Sequence, residues 1–559
     1  LNLYKWQEKA IKMTLNTLKR GGVVAINAPT GSGKTLLSLI LAFKVKERVF
    51  SFVRTKNEFQ PYIREANKMG IRPVFLVSKS SLCPYSDNEA SSEDIKCKSC
   101  SLLYKVEEVY INSISDIQSI KQKGKKEGFC PYYSLREMLE KSKLSMLTYP
   151  YIFSQRIRES IGLLDIIEDS VIIIDEAHNL DNASEVDEAS ISLRTLELAE
   201  KQVKDLIPSK LKLFSEIINK IRGIEKYISS SEDYIKLNKE DLKLISNEEL
   251  NLLEDFYEEI GKEMLRKGKI TRIYIGQIIK FFEGLESGLM PFSHDNKIVL
   301  KYVDPLIYLN IINTLGPTIL LSGTLPPLNY IKSVWGISKE VNYIDARDLD
   351  SSIGEPNANW YIAYDVTTKY DKRGGMMWAK YGKLIMRIFM EAKRNVLCIF
   401  PSYEVMRNVN PLISIGNKIV EDEETSVSDI EAKVREGKWL ILGVARGKMS
   451  EGIEFTEEGK SLISDVVIAG IPYPRIDDYY KEKVKALSKR VNVPLRKMLI
   501  DVPTQIIVKQ ALGRAIRSLK DSANFWLLDK RFLTYEWYSN LEIRNATKVS
   551  SSSLVDYFK

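Results

Sequence analysis

Two rhythms of apolar residues run along this chain. At the start, LNLYKWQEKAIKMTLNTLKR spaces its apolar positions along one helical face and lacks the apolar core of a signal peptide. Short, nearly unbroken apolar runs follow, each bounded by turn residues. GVVAINA at 22–28 enters a Gly-rich turn and then the helical pattern TLLSLILAFKVKE, and Val49–Val53 reads as the next strand. Strand, turn, helix, strand is the βαβ unit of a parallel sheet. VIIIDEAHNL at 171–180 and TILLSGTLPP at 318–327 read as further buried strands of it.

Two stretches interrupt this rhythm. Residues 80–100 are rich in Ser, Asp, Lys and Cys with little apolar period, the pattern of a small metal-stapled insert. Residues 190–290 carry heptad-like apolar spacing among dense Lys and Glu, as in LRTLELAEKQVKDLIPSKLKLFSEIINKI, and predict a mainly helical insert. A second α/β half is expected from about Val341. Its strands are NVLCIFPS (395–402), KWLILGVARGK (438–448), SDVVIAGIPYP (464–474) and ANFWLLD (523–529).

Composition narrows this only partly. A chain of 559 residues exceeds one core, so two to four domains are expected. No apolar run reaches the roughly 18 residues that span a bilayer, and the expectation is a cytoplasmic protein. The net charge of +8 permits nucleic-acid binding without requiring it. Five cysteines in such a chain point to metal or redox chemistry rather than a disulfide framework.

The chemistry concentrates in APTGSGKT. Ala28, Pro29, Thr30, Gly31, Ser32, Gly33, Lys34 and Thr35 fit a phosphate-binding loop, with Ala28 in place of the usual leading Gly. Backbone N–H groups would surround the β- and γ-phosphates of ATP, Lys34 would place a charge on them, and Thr35 would ligate Mg²⁺. Asp175 and Glu176 end a buried strand, where Asp175 can hold the Mg²⁺ shell and Glu176 can orient or deprotonate water. His178 beside them is assigned to coupling. Arg514 and Arg517, in QALGRAIR from Gln510, share a helical face. Spacing alone fits a solvated basic helix, and two such arginines could also reach a γ-phosphate as fingers.

Four cysteines lie between these ATPase halves, spaced C-x13-C-x2-C-x29-C at Cys83, Cys97, Cys100 and Cys130. Spacing leaves zinc and an iron–sulfur cluster equally open. Cys398, in an apolar strand, reads as a buried small hydrophobe. Single-strand binding needs basic groups and aromatic faces. Lys121, Lys123, Lys125, Lys126, Tyr132, Tyr133, Tyr149 and Tyr151 are the candidates near the insert.

Together these pieces resemble the superfamily 2 helicases. VRTKNE at 53–58 looks like motif Ia, Ser322 to Thr324 like motif III, ARGKMSEGIEF at 445–455 like motif V and QALGRAIR like motif VI. Gln7 is placed like the glutamine that reads adenine, and Gln510 joins the nucleotide set. The nested cysteines narrow the resemblance to the XPD family of iron–sulfur DNA helicases, archaeal type, with DinG- and FANCJ-like helicases as the alternative. The resemblance implies two RecA-like motor domains, at 1–80, 146–190 and 296–340 for the first and 341–559 for the second. It further implies an iron–sulfur domain at 81–145 and an arch domain at 191–295. It implies ATP, Mg²⁺ and a [4Fe–4S] cluster, 5′–3′ translocation on single-stranded DNA, action on forked duplexes, a monomer, repair-protein partners and a role in nucleotide excision repair. By the same resemblance Ser322 and Thr324 couple, and Arg54 and Thr55 contact DNA. Glu454 stands where the family has Asp. A damage sensor or translocase without strand separation is the other-class alternative.

Overall fold

The computed structural model describes residues 3–350, 353, 357–422, 427–447, 449, 455–457, 460–516 and 521–552. The apolar runs form two seven-stranded sheets in which every pairing is parallel. In the first, the order is Val341–Asp345, Val23–Asn27, Thr318–Ser322, Val171–Asp175, Val49–Val53, Leu144–Thr148 and Val74–Leu76. Four of its strands, Val49–Val53, Val171–Asp175, Thr318–Ser322 and Val74–Leu76, are buried at every position, because helices cover both faces. In the second, the order is Lys418–Val420, Leu440–Val444, Asn395–Phe400, Ile463–Ile468, Ser522–Leu527, Asn357–Ala363 and Thr547–Val549. Cys398 is fully buried there. This is the expected α/β class with two RecA-like units.

The strand Val341–Asp345, expected to open the second half, pairs instead with Val23–Asn27 as the edge of the first sheet. The second half also returns to the first. Leu487, Met498, Leu499 and Val502 lie in the same hydrophobic core as the phosphate-loop strand. Arg490 fixes that return. It pairs with Asp304 through Nε at 2.9 Å and Nη2 at 2.7 Å, and it also donates to the carbonyls of Ser333 and Val334.

The insert at 190–290 is mainly helical, as its heptads predict. Its longest helix, Asn247–Arg266, begins with a reciprocal cap between Ser246 and Glu249. The helices lean on a four-stranded antiparallel sheet that the heptad pattern hides, ordered Ala189–Ile191, Lys297–Lys301, Met290–His294 and Ile235–Lys236. Between Cys83 and Ser113 the cysteine-bearing segment has only the short turn Cys97–Ser99 as regular structure. It is held against the helical insert by Ile270 N–H to Tyr85 O (2.7 Å), Asp87 N–H to Ile270 O (2.9 Å) and the pair Lys96–Glu258 (2.9 Å). Gly261 is required at this seam, since a Cβ there would come within 2.5 Å of the Lys96 side chain.

Arg490→Ala should leave the Asp304 carboxylate with no cation in a half-buried site. We expect a loss of about 2–3 kcal/mol, the range for hydrogen bonds to charged groups. Urea unfolding would measure it, and a change under about 0.5 kcal/mol, the scale of ordinary surface substitutions, would contradict this role.

Candidate functional site

The site forms where the first sheet's strands end. Asn27 closes the strand before the phosphate loop and holds two neighbours. Its Nδ2 donates to Asp345 at 2.6 Å and its Oδ1 accepts the Leu325 N–H at 3.0 Å. Gly31 and Gly33 take φ of 81° and 80°, a region that residues bearing a Cβ rarely adopt. Gly33 then caps the helix Lys34–Phe43, so the loop's N–H groups and the helix N-terminus face one space. Thr30 and Gly31 are exposed at the tip, while Ala28 and Ser32 are buried.

Gln7 braces this loop from behind. Its Nε2 donates to Gly33 O at 2.9 Å and its Oε1 accepts the Tyr4 N–H at 2.8 Å. Trp6 Nε1 donates to Ser32 O at 3.2 Å. The amide that resemblance assigns to adenine is thus engaged by the loop itself, and reading a base would require it to exchange partners.

Lys34 Nζ reaches Glu176 Oε1 at 3.2 Å beside the phosphate loop. Glu176 sits at φ 50°, a strained turn for a residue with a side chain, and its N–H donates to Asp175 Oδ1 at 2.8 Å. The two acids differ electrostatically. Burial pushes Asp175 up, to about 6, with the neighbouring Glu176 charge adding to the effect. Burial opposes ionisation of Glu176 too, but Lys34 and His178 overcome it and hold this carboxyl well below its ordinary range. Arg514, from the second half, adds to the positive field on Glu176. Arg517 and Glu454 lie outside the described residues. Gln510 is half-buried on the helix Val502–Leu512 that leads to Arg514.

His178 ties the site together. Nδ1 lies 2.6 Å from Ser322 Oγ, and Nε2 lies 2.9 Å from Asn179 Nδ2. Arg54 Nη1 donates to Asn179 Oδ1 at 2.9 Å, which orients that amide. Its N–H₂ then points at Nε2, leaving Nδ1 as the protonated nitrogen that donates to Ser322. Ser322 Oγ also accepts the Thr324 N–H at 3.0 Å. His178 Nδ1 also lies 3.2 Å from Glu176 Oε2, so a chain of polar contacts runs Lys34, Glu176, His178, Asn179, Arg54.

Two members of this group carried no sequence signal of their own. Asn179 looked like an ordinary residue after DEAH. Glu58 closes the Arg54 turn by accepting the Arg54 N–H at 2.9 Å and the Thr55 hydroxyl at 3.1 Å. Burial, then the charges of Glu176 and Asp175, push Glu58 up to about 8. It therefore holds a proton near neutral pH. Only its place at the end of VRTKNE hinted at it.

Several stacking candidates are corrected. Tyr132, Tyr149 and Tyr151 are buried, because their rings fill the core between the cysteine insert and the first sheet. Tyr149 and Tyr151 hydroxyls donate to the Asp175 and Val77 carbonyls. Lys121 donates to Ser86 O, whereas Lys123, Lys125 and Lys126 are exposed. A different aromatic–basic row lies on the segments after four adjacent strands of the second sheet, with Tyr403 and Arg407 on the helix Tyr403–Val409. Arg407 lies 5.8 Å over Tyr403, Arg531 5.6 Å over Tyr473 and Arg373 5.5 Å over Tyr370, whose ring is 84% exposed. Arg373 also pairs with Glu404 at 2.9 Å, joining two of these segments. Arginine over a partly exposed ring is a platform for stacked bases.

The four cysteines line one cavity together with Lys79, Tyr132, Tyr133 and apolar side chains. Cys83 ends the turn Lys79–Leu82, and Cys130 caps the helix Pro131–Lys141, whose N-terminal dipole favours a thiolate. Burial pushes the Cys83 thiol up to about 11 and raises Cys97 and Cys130 as well. Among the described residues, no three His, Cys, Asp or Glu side chains are gathered to clasp a single metal ion, here or around Thr35 and Asp175. The thiols are neighbours around a space, not a closed ligand set. Four sulfurs facing a common, mostly apolar cavity fit a thiolate-ligated centre in their chemistry.

Comparison with known proteins agrees with this arrangement. Residues 52–198 match the DEAD_2 family and residues 385–545 the helicase C-terminal domain family. The chain is 42% identical to the ATP-dependent DNA helicase XPD of Sulfolobus acidocaldarius, over 98% of this chain and all of that one. It is 25% identical to the ATP-dependent DNA helicase CHL1 of Kluyveromyces lactis, over 87% of this chain and 69% of that one. A solved XPD helicase superposes with a TM-score of 0.91 at 41% identity, covering 98% of this chain and all of the other. Among the described residues no helix is long and apolar enough to cross a membrane. With two parallel motor sheets, a phosphate loop facing an acid pair and this relationship over nearly its full length, the chain belongs to the XPD family of ATP-dependent DNA helicases.

Proposed function

We propose that this helicase translocates 5′ to 3′ along single-stranded DNA, opens forked duplexes and serves DNA repair, acting as a cytoplasmic monomer with repair-protein partners. The observation that carries the motor reading is the chain of polar contacts from Lys34 through Glu176, His178 and Asn179 to Arg54. It joins the phosphate loop to the residue that resemblance places on DNA.

In this reading Lys34 and the loop N–H groups hold the ATP phosphates, and Thr35 and Asp175 hold Mg²⁺. Glu176, kept ionised by its cations, orients the attacking water and can accept its proton. Arg514 approaches from the second half to stabilise charge on the γ-phosphate, with Arg517 as its assigned partner. Ligand binding withdraws Lys34 from Glu176, which alters the pull on His178. Ser322 and Asn179 feel that change directly, Arg54 through Asn179 and Thr324 through Ser322. Arg54 and Thr55 would grip the strand on the first half, and the Tyr403, Tyr473 and Tyr370 row on the second. Residues 81–145 form the iron–sulfur domain in this reading, with Cys83, Cys97, Cys100 and Cys130 holding a [4Fe–4S] cluster. The cluster would supply folding energy to a segment with little core of its own. Residues 191–295 are read as the arch.

Polarity is tested by unwinding of duplexes with a 5′ or a 3′ single-stranded tail. Opening of the 5′-tailed duplex alone is expected. DNA-stimulated ATP hydrolysis with neither duplex opened would favour a translocase or sensor. Lys34→Ala should abolish hydrolysis and unwinding while retaining oligonucleotide binding, and wild-type hydrolysis by this variant would show the loop misassigned. Cys97→Ser should lose the yellow-brown absorbance of an iron–sulfur centre and impair unwinding more than hydrolysis. Normal unwinding by it would make the centre dispensable.

Protons and Mg²⁺ compete for Asp175, whose pKa burial and the Glu176 charge raise to about 6. The Mg²⁺ concentration for half-maximal ATPase should therefore rise as pH falls from about 7.5 to 5.5, by up to tenfold per unit once below that pKa. A Mg²⁺ requirement flat across this window would remove Asp175 from the metal's shell.

A further inference from the structure

After the strand Ile463–Ile468 the chain leaves the second sheet and reaches the first core by way of the helical insert. Residues 469–477, AGIPYPRID, make the link. Their start is fixed to the second half. The Ala469 N–H donates to Ile399 O at 2.8 Å. Gly470, at φ 109°, lies so close to Thr368 that a Cβ would run into that side chain. Pro472 and Pro474 then lock φ at two of the following positions, so the segment has little slack.

Its far end is fixed to the insert. Ile235–Lys236 is the edge strand of the four-stranded antiparallel sheet, so its outward backbone groups have no partner strand. Asp477 and Asp478 satisfy them instead. Tyr234 N–H donates to Asp477 Oδ2 at 3.1 Å, Lys236 N–H donates to Asp478 Oδ2 at 3.1 Å, and Tyr234 O accepts the Asp478 N–H at 3.2 Å. Arg475 adds ion pairs with Glu232 and with Asp233 (2.8 Å), and Lys236 pairs with Glu482 at 2.9 Å. The Tyr234 ring stacks on His294 at 4.1 Å and meets Tyr479 at 5.3 Å. The other oxygen of Asp477 accepts the Tyr480 N–H at 3.0 Å and so caps the helix Asp478–Ser488. That helix packs Tyr480, Val484 and Leu487 against the first core. One carboxylate therefore joins a segment from the second half, the edge of the insert and a helix seated on the first half.

We propose that residues 470–478 are a strap that passes movement of the second motor half to the helical insert, with Asp477 as the positioning residue at its attachment. This rests on the motor reading above, in which Arg514 approaches the phosphate loop from the second half. A shift of the second sheet against the first pulls on a stiff segment tied at both ends, and the sheet edge at Tyr234–Lys236 moves with it. Asp477→Ser separates the two bonds of the carboxylate, because serine still caps the helix but is too short to reach Tyr234. Amide exchange of the stretch 229–238 in the full chain, read by mass spectrometry with and without Mg²⁺ and a non-hydrolysable ATP analogue, is the measurement. In the wild type the analogue should change that exchange about threefold or more, and in Asp477→Ser exchange should be fast and change less than about 1.5-fold. Forked-duplex unwinding by Asp477→Ser should fall about fivefold or more, with oligo-dT-stimulated ATPase within about twofold of wild type. Arg475→Ala, which leaves the helix cap untouched, should shift exchange and unwinding in the same direction and keeps the test open if Asp477→Ser lowers the thermal midpoint. Exchange at 229–238 indifferent to nucleotide in the wild type, or as responsive in both variants as in the wild type, would overturn the strap. Wild-type ATPase and unwinding check the motor reading separately, and amide exchange judges the strap whichever way those fall.

Discussion

Glu176 is a half-buried carboxylate, and it stays charged because Lys34 and His178 lie against it. Lys34 lies 3.2 Å from one oxygen and His178 Nδ1 3.2 Å from the other. Each partner comes from a different piece of structure. Lys34 requires a glycine-capped helix, and His178 requires the short helical turn that begins immediately after Glu176. The strained φ of Glu176 brings its side chain back over the strand end where both can reach it. Removing any one of these would weaken the field that holds Glu176 ionised.

That constraint explains why the sheet order matters. Thr318–Ser322 lies between the strands that carry the phosphate loop and the acid pair. Its last residue, Ser322, therefore stands where it can receive the His178 hydrogen. A histidine on the outer side of the sheet would have no such partner. The same ordering sets Asn27 beside Asp345 and Leu325, so the loop's start is fixed from both neighbouring strands.

Much of this was legible in the residues. Apolar runs such as VIIID and TILLS are long enough, and β-branched enough, to be buried strands in any context. A phosphate loop is readable because its glycines, lysine and threonine act through local geometry. What stayed hidden depends on distant neighbours. Val341–Asp345 is only half-buried, and nothing in its own pattern says which sheet it joins. The short antiparallel strands at 290–301 sit beside strongly heptad helices, whose longer period dominates the window. Tyr149 and Tyr151 have the composition of a stacking platform, and only tertiary packing shows them buried. Asn179 acts through a partner 125 residues away.

The path of the backbone between the two sheets limits how they move. It passes from the first sheet to the second between residues 345 and 357. It returns to the first core by Leu487, and passes back along the helix Val502–Leu512, whose Val502 lies in the first core and Val508 in the second. Two bodies joined by a single tether can swivel freely about it. Three crossings, one of them a rigid helix, remove most of that torsional freedom and leave opening and closing as the soft direction. The register between Arg514 and the phosphate loop is then supported by the connectivity itself.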